Sequence, residues 1–395
     1  MAVEYKPLGQ LLRRPPRYGV NAAAVPLTPG VATYIRITDI DNSGHFSPNP
    51  KVGVAHASAE NYRMGPGELV FARTGASVGK SYLYDLRDGV LVYAGFLINV
   101  VPDPKLLNPK YLSLFAQSKE YWDWVARTSV RSGQPGVNGR EYAQLPVPLP
   151  DIAAQDAIAE VMTDVDELIA ALERMIAKKQ VINQGMMQQL LTGKTRLSGF
   201  VGKWRSRRLG DLVTLTSGQS PSGFEFGPSG IPYFKVDQLG RSTKYLTRGS
   251  TPYLSRSPLS VPAGSVLIAK RGGAIALNRV RILTEPSFMD TNIMAMTPNG
   301  ELDSEFLYYW IAFRGLWDIA DVTSVPQINN KHIVPLEIRL PSLGEQRSLV
   351  TVLRDADNSI ATLDRLIVKQ HGIKQGMMQE LLTGRRRLPV AEDEA

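Results

Sequence analysis

The chain of 395 residues has no cysteine, only four histidines and no long apolar run. Without thiols there is no disulfide framework, no thiolate metal site and no cysteine nucleophile. His45, His56, His332 and His371 are too scattered to suggest a zinc cluster, so metal chemistry is not expected. No stretch approaches the roughly 18 apolar residues of a membrane span. The opening MAVEYKPLGQLL lacks the apolar segment of a secretory signal, so a soluble, cytoplasmic protein is expected. Acidic residues are also in deficit: 37 Asp plus Glu against 45 Lys plus Arg leave a net charge of +8, which fits a polyanionic partner.

What is present is a duplication. QGMMQQLLTG at 184–193 returns as QGMMQELLTG at 375–384, an offset of 191. Extended back without a gap to 149 and 340, the two segments share 22 identities in 45 positions, where chance gives roughly three. Upstream matches are looser: Ser132, Pro135 and Asn138 meet Thr323, Pro326 and Asn329, and GELVFAR (67–73) meets GSVLIAK (264–270). Tyr34-Ile35-Arg36 meets Tyr233-Phe234-Lys235, and LGQL (8–11) meets LGDL (209–212). The whole chain is therefore two copies of one unit. Residues 1–148 and 194–339 read as globular regions, the second with its linker; 149–193 and 340–384 read as helical regions, and 385–395 as a tail.

In the first helical region the apolar positions Ile158, Met162, Val165, Ile169, Leu172 and Ile176 follow alternating steps of four and three. Val161, Leu168, Met175 and Ile182 widen the stripe. The second copy keeps the seam with Leu349, Leu353, Ile360, Leu363 and Ile367. Both interrupt it at the same place, with Lys179 and Asn183 and then Gln370 and Lys374, a kind of polar break that fixes register. Asp151 and Ser342 are expected N-caps, and Gly193 and Gly384 expected left-handed C-caps. Some 40 residues make a rod of about 60 Å. Two similar stripes in one chain predict mutual packing. The expected fold class is α+β: two mixed α/β domains and two long helices paired as an antiparallel coiled coil, with an internal pseudo-twofold repeat.

Short strands are expected at 33–40, 67–73, 231–239 and 264–270, and one helix per globular region at 108–126 and 303–320, its aromatic stripe facing the core. The charge is unevenly shared: residues 1–150 carry +5, 151–204 carry −1, 205–341 carry +4 and 342–395 carry 0. Two basic heads on neutral helices match a reader of two separated half-sites on duplex DNA.

GASVGKS (75–81) is one residue short of a phosphate-binding loop, and the second copy, GGAIALN, lacks the lysine. NPKY (108–111) is similar to the Asn-Pro-Pro-Tyr of amino-methyltransferases, but Lys110 replaces a proline, and an N-cap followed by proline accounts for it. No catalytic constellation stands out, so catalysis by this chain is not expected. Loops suited to DNA combine cations with Gly, Ser, Gln and Asn. In the first copy they offer Arg13, Arg14 and Arg17, then Arg73, Thr74 and Lys80, then Arg131 and Gln134. In the second they offer Ser217 and Gln219, Arg241 and Lys244, and Lys270, Arg271 and Arg279.

The repeated LP…Q…I/L leads (149–158 and 340–349), the QGMMQ(Q/E)LLTG(K/R)xRL endings, the LGDL-type openings and SGQSPSG before IPYFKVDQL carry a family resemblance. The chain resembles the DNA-specificity subunit of type I restriction-modification systems over nearly its whole length. The first domain departs from that pattern, with RRPPRYGVNAAAVP where the second keeps SGQSPSG. The resemblance implies two target-recognition domains, each reading half of a bipartite DNA sequence in the major groove. It implies helices that hold the spacing and dock two copies of a methyltransferase subunit, with motor-nuclease subunits added. Its cofactors, S-adenosylmethionine for the methyltransferase and ATP and Mg for the motor-nuclease, would belong to those partners. The rival expectation is a protein-interaction scaffold whose basic heads grip acidic partners. Inserting or deleting a few residues near 178–183 should change the recognised spacer length and leave both half-sites intact. Methylome sequencing checks this, and altered half-sites would rule out a ruler.

Overall fold

The computed structural model describes residues 3–131, 133–255, 260–321, 325–386 and 388. The repeat matches at Ser132 and Thr323, Arg387 of the second repeat ending and most of the tail 385–395 lie outside the described residues. Two compact units are formed, Met1–Glu173 with Leu366–Ala395, and Arg174–Arg365.

In the first unit, strands Leu12–Tyr18, Leu97–Pro102, Leu69–Ala72 and Ser81–Leu83 lie in that order as an antiparallel sheet. The inner strand Leu69–Ala72 is buried along its length, which its unbroken apolar run anticipates. Pro15 and Pro16 cannot donate to a ladder, and they sit on the edge strand, where the pairing with Leu97–Pro102 slips. A second sheet orders Ala24–Pro26, Val52–Val54, Ala32–Ile35 and Leu91–Tyr93, its last pair parallel. The incoming strand Tyr5–Pro7 pairs antiparallel with the outgoing strand Pro146–Pro148.

The second unit repeats this plan. Val213–Ser217, Ile293–Pro298, Val266–Ala269 and Arg281–Leu283 form the corresponding sheet, extended by Tyr245–Leu246. Phe226–Gly227, Leu254–Ser255, Ile231–Phe234 and Phe288–Met289 form the other. Arg205–Arg208 pairs with Glu337–Leu340.

The expected strands at 33–40 and 231–239 are shorter than anticipated, turning into 3-10 helix at Ile37–Asp39 and Val236–Gly240. The helices expected at 108–126 and 303–320 are broken. Asn108 caps Pro109–Phe115 as read, but the Ser118 hydroxyl accepts from Tyr121 N–H and starts a second helix, Lys119–Thr128. Ser304–Arg314 stops at Gly315, whose φ of 70° ends the turn, and Trp317–Ile319 follows as 3-10 helix.

Two helices of 40 residues, Ile152–Leu191 and Leu343–Leu382, carry the duplicated decapeptides. Asp151 Oδ1 accepts from Ala154 N–H at 2.8 Å and Ser342 Oγ from Glu345 N–H at 3.3 Å. Gly193 and Gly384 end the helices with φ of 70° and 66°. Each helix contributes to both units. In the first unit Ile158 and Met162 share a core with Met378, Leu381 and Leu382, and Lys374 Nζ lies 2.6 Å from Asp166 Oδ1. In the second, Leu190 and Leu191 share a core with Leu349, Val350 and Leu353, and Asn183 Nδ2 donates to Asp357 Oδ1 at 2.8 Å. Asn183 and Lys374, the polar breaks, thus face carboxylates at repeat-equivalent positions.

The seam is narrower than the expected stripe: Ile169, Leu172 and Ile176 are buried, whereas Leu168, Met175 and Ile182 are exposed. On the second helix Ile360, Leu363 and Ile367 are half-buried.

The glutamine of the LP…Q lead has a definite task. Gln155 is buried; its Nε2 donates to Leu106 O and Pro150 O, and its Oε1 accepts from Asn108 N–H. Gln346 repeats this with Glu301 O, Pro341 O and Asp303 N–H. One amide therefore ties the first turn of a long helix to the start of an earlier helix of its domain, Pro109–Phe115 or Ser304–Arg314. Gln346→Leu keeps the bulk and leaves buried backbone groups unpaired, and should cost roughly 1–3 kcal/mol, measured by denaturant unfolding against the wild type.

Candidate nucleic-acid interface

Where the edge strand of the first sheet ends, three segments converge. Gly19 N–H donates to Leu97 O, Val20 N–H to Tyr93 O, and the Tyr34 hydroxyl to Val20 O at 2.9 Å. Arg73 N–H donates to Phe96 O and Gly75 N–H to Pro135 O, while Arg73 O accepts from Val137 N–H. The Arg73 guanidinium stands 4.8 Å from the centre of the Tyr18 ring, and the Tyr18 hydroxyl accepts from Gly139 N–H. The loops at 73–75 and 133–138, remote in sequence, are thus one surface beside the strand end.

The second unit builds the same junction with different side chains. Gly218 N–H donates to Ile293 O, Gln219 N–H to Met289 O, and the Tyr233 hydroxyl to Gln219 O at 2.8 Å. Lys270 N–H donates to Asn292 O and Gly272 N–H to Pro326 O, while Lys270 O accepts from Ile328 N–H. Lys270 Nζ donates to Ser217 Oγ at 3.0 Å. Burial, and then the nearby Arg271, pull the Lys270 ammonium below its ordinary pKa. Tyr18, Arg73 and Phe96 therefore correspond to Ser217, Lys270 and Asn292.

Glycine is required at this junction. A Cβ on Gly19 would strike the carbonyl oxygens of Tyr93 and Ala94, and one on Gly218 those of Met289 and Asp290. The RRPPRYGVN opening, which departs from SGQSPSG in sequence, thus keeps the one glycine that the geometry demands.

Most of the expected DNA-facing residues gather in three groups. Arg73, Thr74 and Gln134 gather at the first junction, with Thr74 Oγ1 donating to Pro135 O and Gln134 beside Gly75. Ser217, Lys270 and Arg271 gather at the second, with Gln219 exposed next to them. A further group lies by the 3-10 turns that follow Tyr34 and Tyr233. Lys80 Nζ donates to Ile40 O at 3.1 Å, Arg241 pairs with Asp237 at 3.2 Å, and Arg279 approaches Gly240. Arg13 is exposed on the edge strand, and Arg17 donates to Asn61 O and stacks 4.4 Å over Tyr62.

Besides Arg241, three of these cations are already paired with carboxylates of their own domain. Arg14 donates to Asn99 Oδ1 at 2.8 Å and lies 3.5 Å from Glu68. Arg131 is bound by Glu141 and by the carbonyls of Thr128 and Val130. Lys244 corrects the expectation most clearly: it is only 8% exposed, paired with Glu305 and donating to the Tyr309 hydroxyl at 3.1 Å. Its partners come from a helix some 60 residues later, which no local pattern announces.

Phe96 and Asn292 were not anticipated, because neither is basic and neither lies in a Gly/Ser-rich run. The signal that finds them is their shared offset of 196 combined with the bond each carbonyl accepts. Among the described residues no group of three or more His, Asp and Glu side chains could hold a metal ion, and no helix is long and apolar enough to cross a membrane.

A duplicated α/β domain, each copy presenting one basic junction, defines a two-headed recognition protein. The family model for the type I restriction modification DNA specificity domain matches residues 26–184 and 202–369, and the chain belongs to that family as a specificity subunit. In type I systems this is the non-catalytic, DNA-recognition component. The type I restriction enzyme MjaVIII specificity subunit of Methanocaldococcus jannaschii is 24% identical over 343 residues, spanning 81% of this chain and 79% of that protein. The HsdS subunit from Thermoanaerobacter tengcongensis has the same fold, with a TM-score of 0.52 and 18% identity over 97% of each chain. So does a type I S subunit from M. genitalium, with a TM-score of 0.58 and 14% identity over 96% of each chain.

Gly218→Ala should destabilise the second unit by at least about 1–3 kcal/mol, since backbone must move to admit the methyl group. Gly185→Ala in the first long helix, where nothing lies within 4 Å, should stabilise by up to about 1 kcal/mol. Thermal unfolding of the two variants distinguishes these signs.

Proposed function

We propose that each domain reads one half of a bipartite, asymmetric target in double-stranded DNA, and that the chain carries the catalytic subunits of the system to that target in the cytoplasm. The observation that carries this reading is the repeat-equivalent basic junction, built on one backbone pattern with cations Arg73 in one unit and Lys270 and Arg271 in the other. Cations on a rigid frame hold phosphates, and the polar side chains among them reach base edges. Arg13, Arg17, Thr74, Lys80, Gln134, Ser217, Gln219, Arg241 and Arg279 complete the proposed contact set. Arg14 and Arg131, held by carboxylates at the surface, and the buried Lys244 shape that surface.

The two long helices act as the spacer, paired as an antiparallel coiled coil. The ion pair Asp166–Lys374 and the hydrogen bond Asn183–Asp357 support that pairing: seventeen residues forward on one helix correspond to seventeen back on the other. Two copies of a methyltransferase subunit dock on the helices, and motor-nuclease subunits join them. Leu168, Met175 and Ile182, exposed at seven-residue spacing, support a docking role because the intrachain seam does not use them. S-adenosylmethionine, ATP and Mg belong to those partners, and the chemistry takes place there.

Selection from a random duplex library, with and without the methyltransferase, should enrich a two-part motif. Replacing residues 205–341 with those of another family member should change one half-site only. Enrichment of no bipartite motif in either condition would favour the protein-scaffold reading.

A further inference from the structure

The equivalence of the two junctions extends to the side chains they present. The same three backbone positions carry Tyr18, Arg73 and Phe96 in the first unit, and Ser217, Lys270 and Asn292 in the second. The frame is constant: the glycine close approach, the tyrosine hydroxyl on the following carbonyl and the bond from position 73 or 270 to position 96 or 292 recur in both. Only the outward chemistry differs. Phe96 is 56% exposed, large and apolar, and Tyr18 at the same junction is 41% exposed. A bare phenyl ring on the basic face of a domain gains nothing from its own core. Asn292 is part-exposed, and its side-chain amide makes no hydrogen bond among the described residues.

We propose that positions 96 and 292 are equivalent base-reading positions: Phe96 lies against a thymine methyl group in one half-site, and Asn292 pairs with the edge of an adenine in the other. Thymine is the base that offers an apolar group in the major groove, and the carboxamide matches the donor and acceptor pair that adenine presents there. The neighbouring cations, Arg73 and Lys270, hold the adjacent backbone and keep each reading position in register. The inference rests on the proposed reading of DNA by both domains and adds which side chains discriminate and what chemistry each selects.

The test is selection of duplexes by the full chain with its methyltransferase, using wild type, Phe96→Asn, Phe96→Leu and Asn292→Ala. Wild type should enrich a two-part motif; if it enriches none, the reading beneath fails, and the inference with it. Given a wild-type motif, Phe96→Asn should lose preference for thymine at one position of one half-site by roughly ten- to a hundredfold. Phe96→Leu, still apolar, should retain most of that preference. Asn292→Ala should lose preference for adenine by a similar factor at one position of the other half-site. Unchanged motifs in both variants, or a uniform loss of affinity for all sequences by folded protein, would overturn the assignment. Should Phe96→Asn fail to fold, Phe96→Ser, which is also polar, carries the decision at that position, and Asn292→Ala carries it at the other.

Discussion

A 40-residue helix that contributes to two units is fastened to its domain at its first turn, and here the fastening is a buried primary amide. Gln155 and Gln346 each donate to two carbonyls and accept from one backbone N–H. Those three bonds join the proline-rich strand end, the loop before the helix Pro109–Phe115 or Ser304–Arg314, and the long helix itself. Buried amides are stable only when their partners are met, so the bonds fix an angle as well as a contact.

The duplication behaves as a template on which two kinds of residue diverge differently. Gly19 and Gly218, Gln155 and Gln346, and the tyrosines at 34 and 233 hold the backbone and are the same in both copies. Lys374 and Asn183 face equivalent aspartates with different chemistry, one by charge and one by neutral hydrogen bond. The side chains that project from the junctions differ outright. A frame that stays while its surface changes lets one fold serve two recognitions.

Much of this was readable beforehand. The offset of 191, the helix caps at Asp151, Ser342, Gly193 and Gly384, and the polar breaks at Asn183 and Lys374 are local or periodic features that short-range physics specifies. What escaped depended on distant partners. The break at Ser118 is the local exception: its hydroxyl caps a new helix by accepting from Tyr121 N–H three residues on, while the aromatic stripe continues unbroken in sequence. Leu168, Met175 and Ile182 fit a helical stripe as well as their buried neighbours, and periodicity does not say how wide the covering helix is. Lys244 has the composition of a DNA-facing loop and lies buried because Glu305 and Tyr309 reach it from a later helix. Phe96 and Asn292 have no motif; their equivalence exists only in the backbone bonds.

The pairing of the incoming and outgoing strands, Tyr5–Pro7 with Pro146–Pro148 and Arg205–Arg208 with Glu337–Leu340, also has an evolutionary consequence. Each domain's two ends are stitched together by a short ladder whose backbone bonds are indifferent to what lies between them. A cut at these ladders exchanges a complete domain, and the glutamine fastening can re-form because its partners inside the domain are backbone groups, Leu106 O and Asn108 N–H or Glu301 O and Asp303 N–H. Novelty can then arrive as a whole domain, without passing through a poorly folded intermediate sequence.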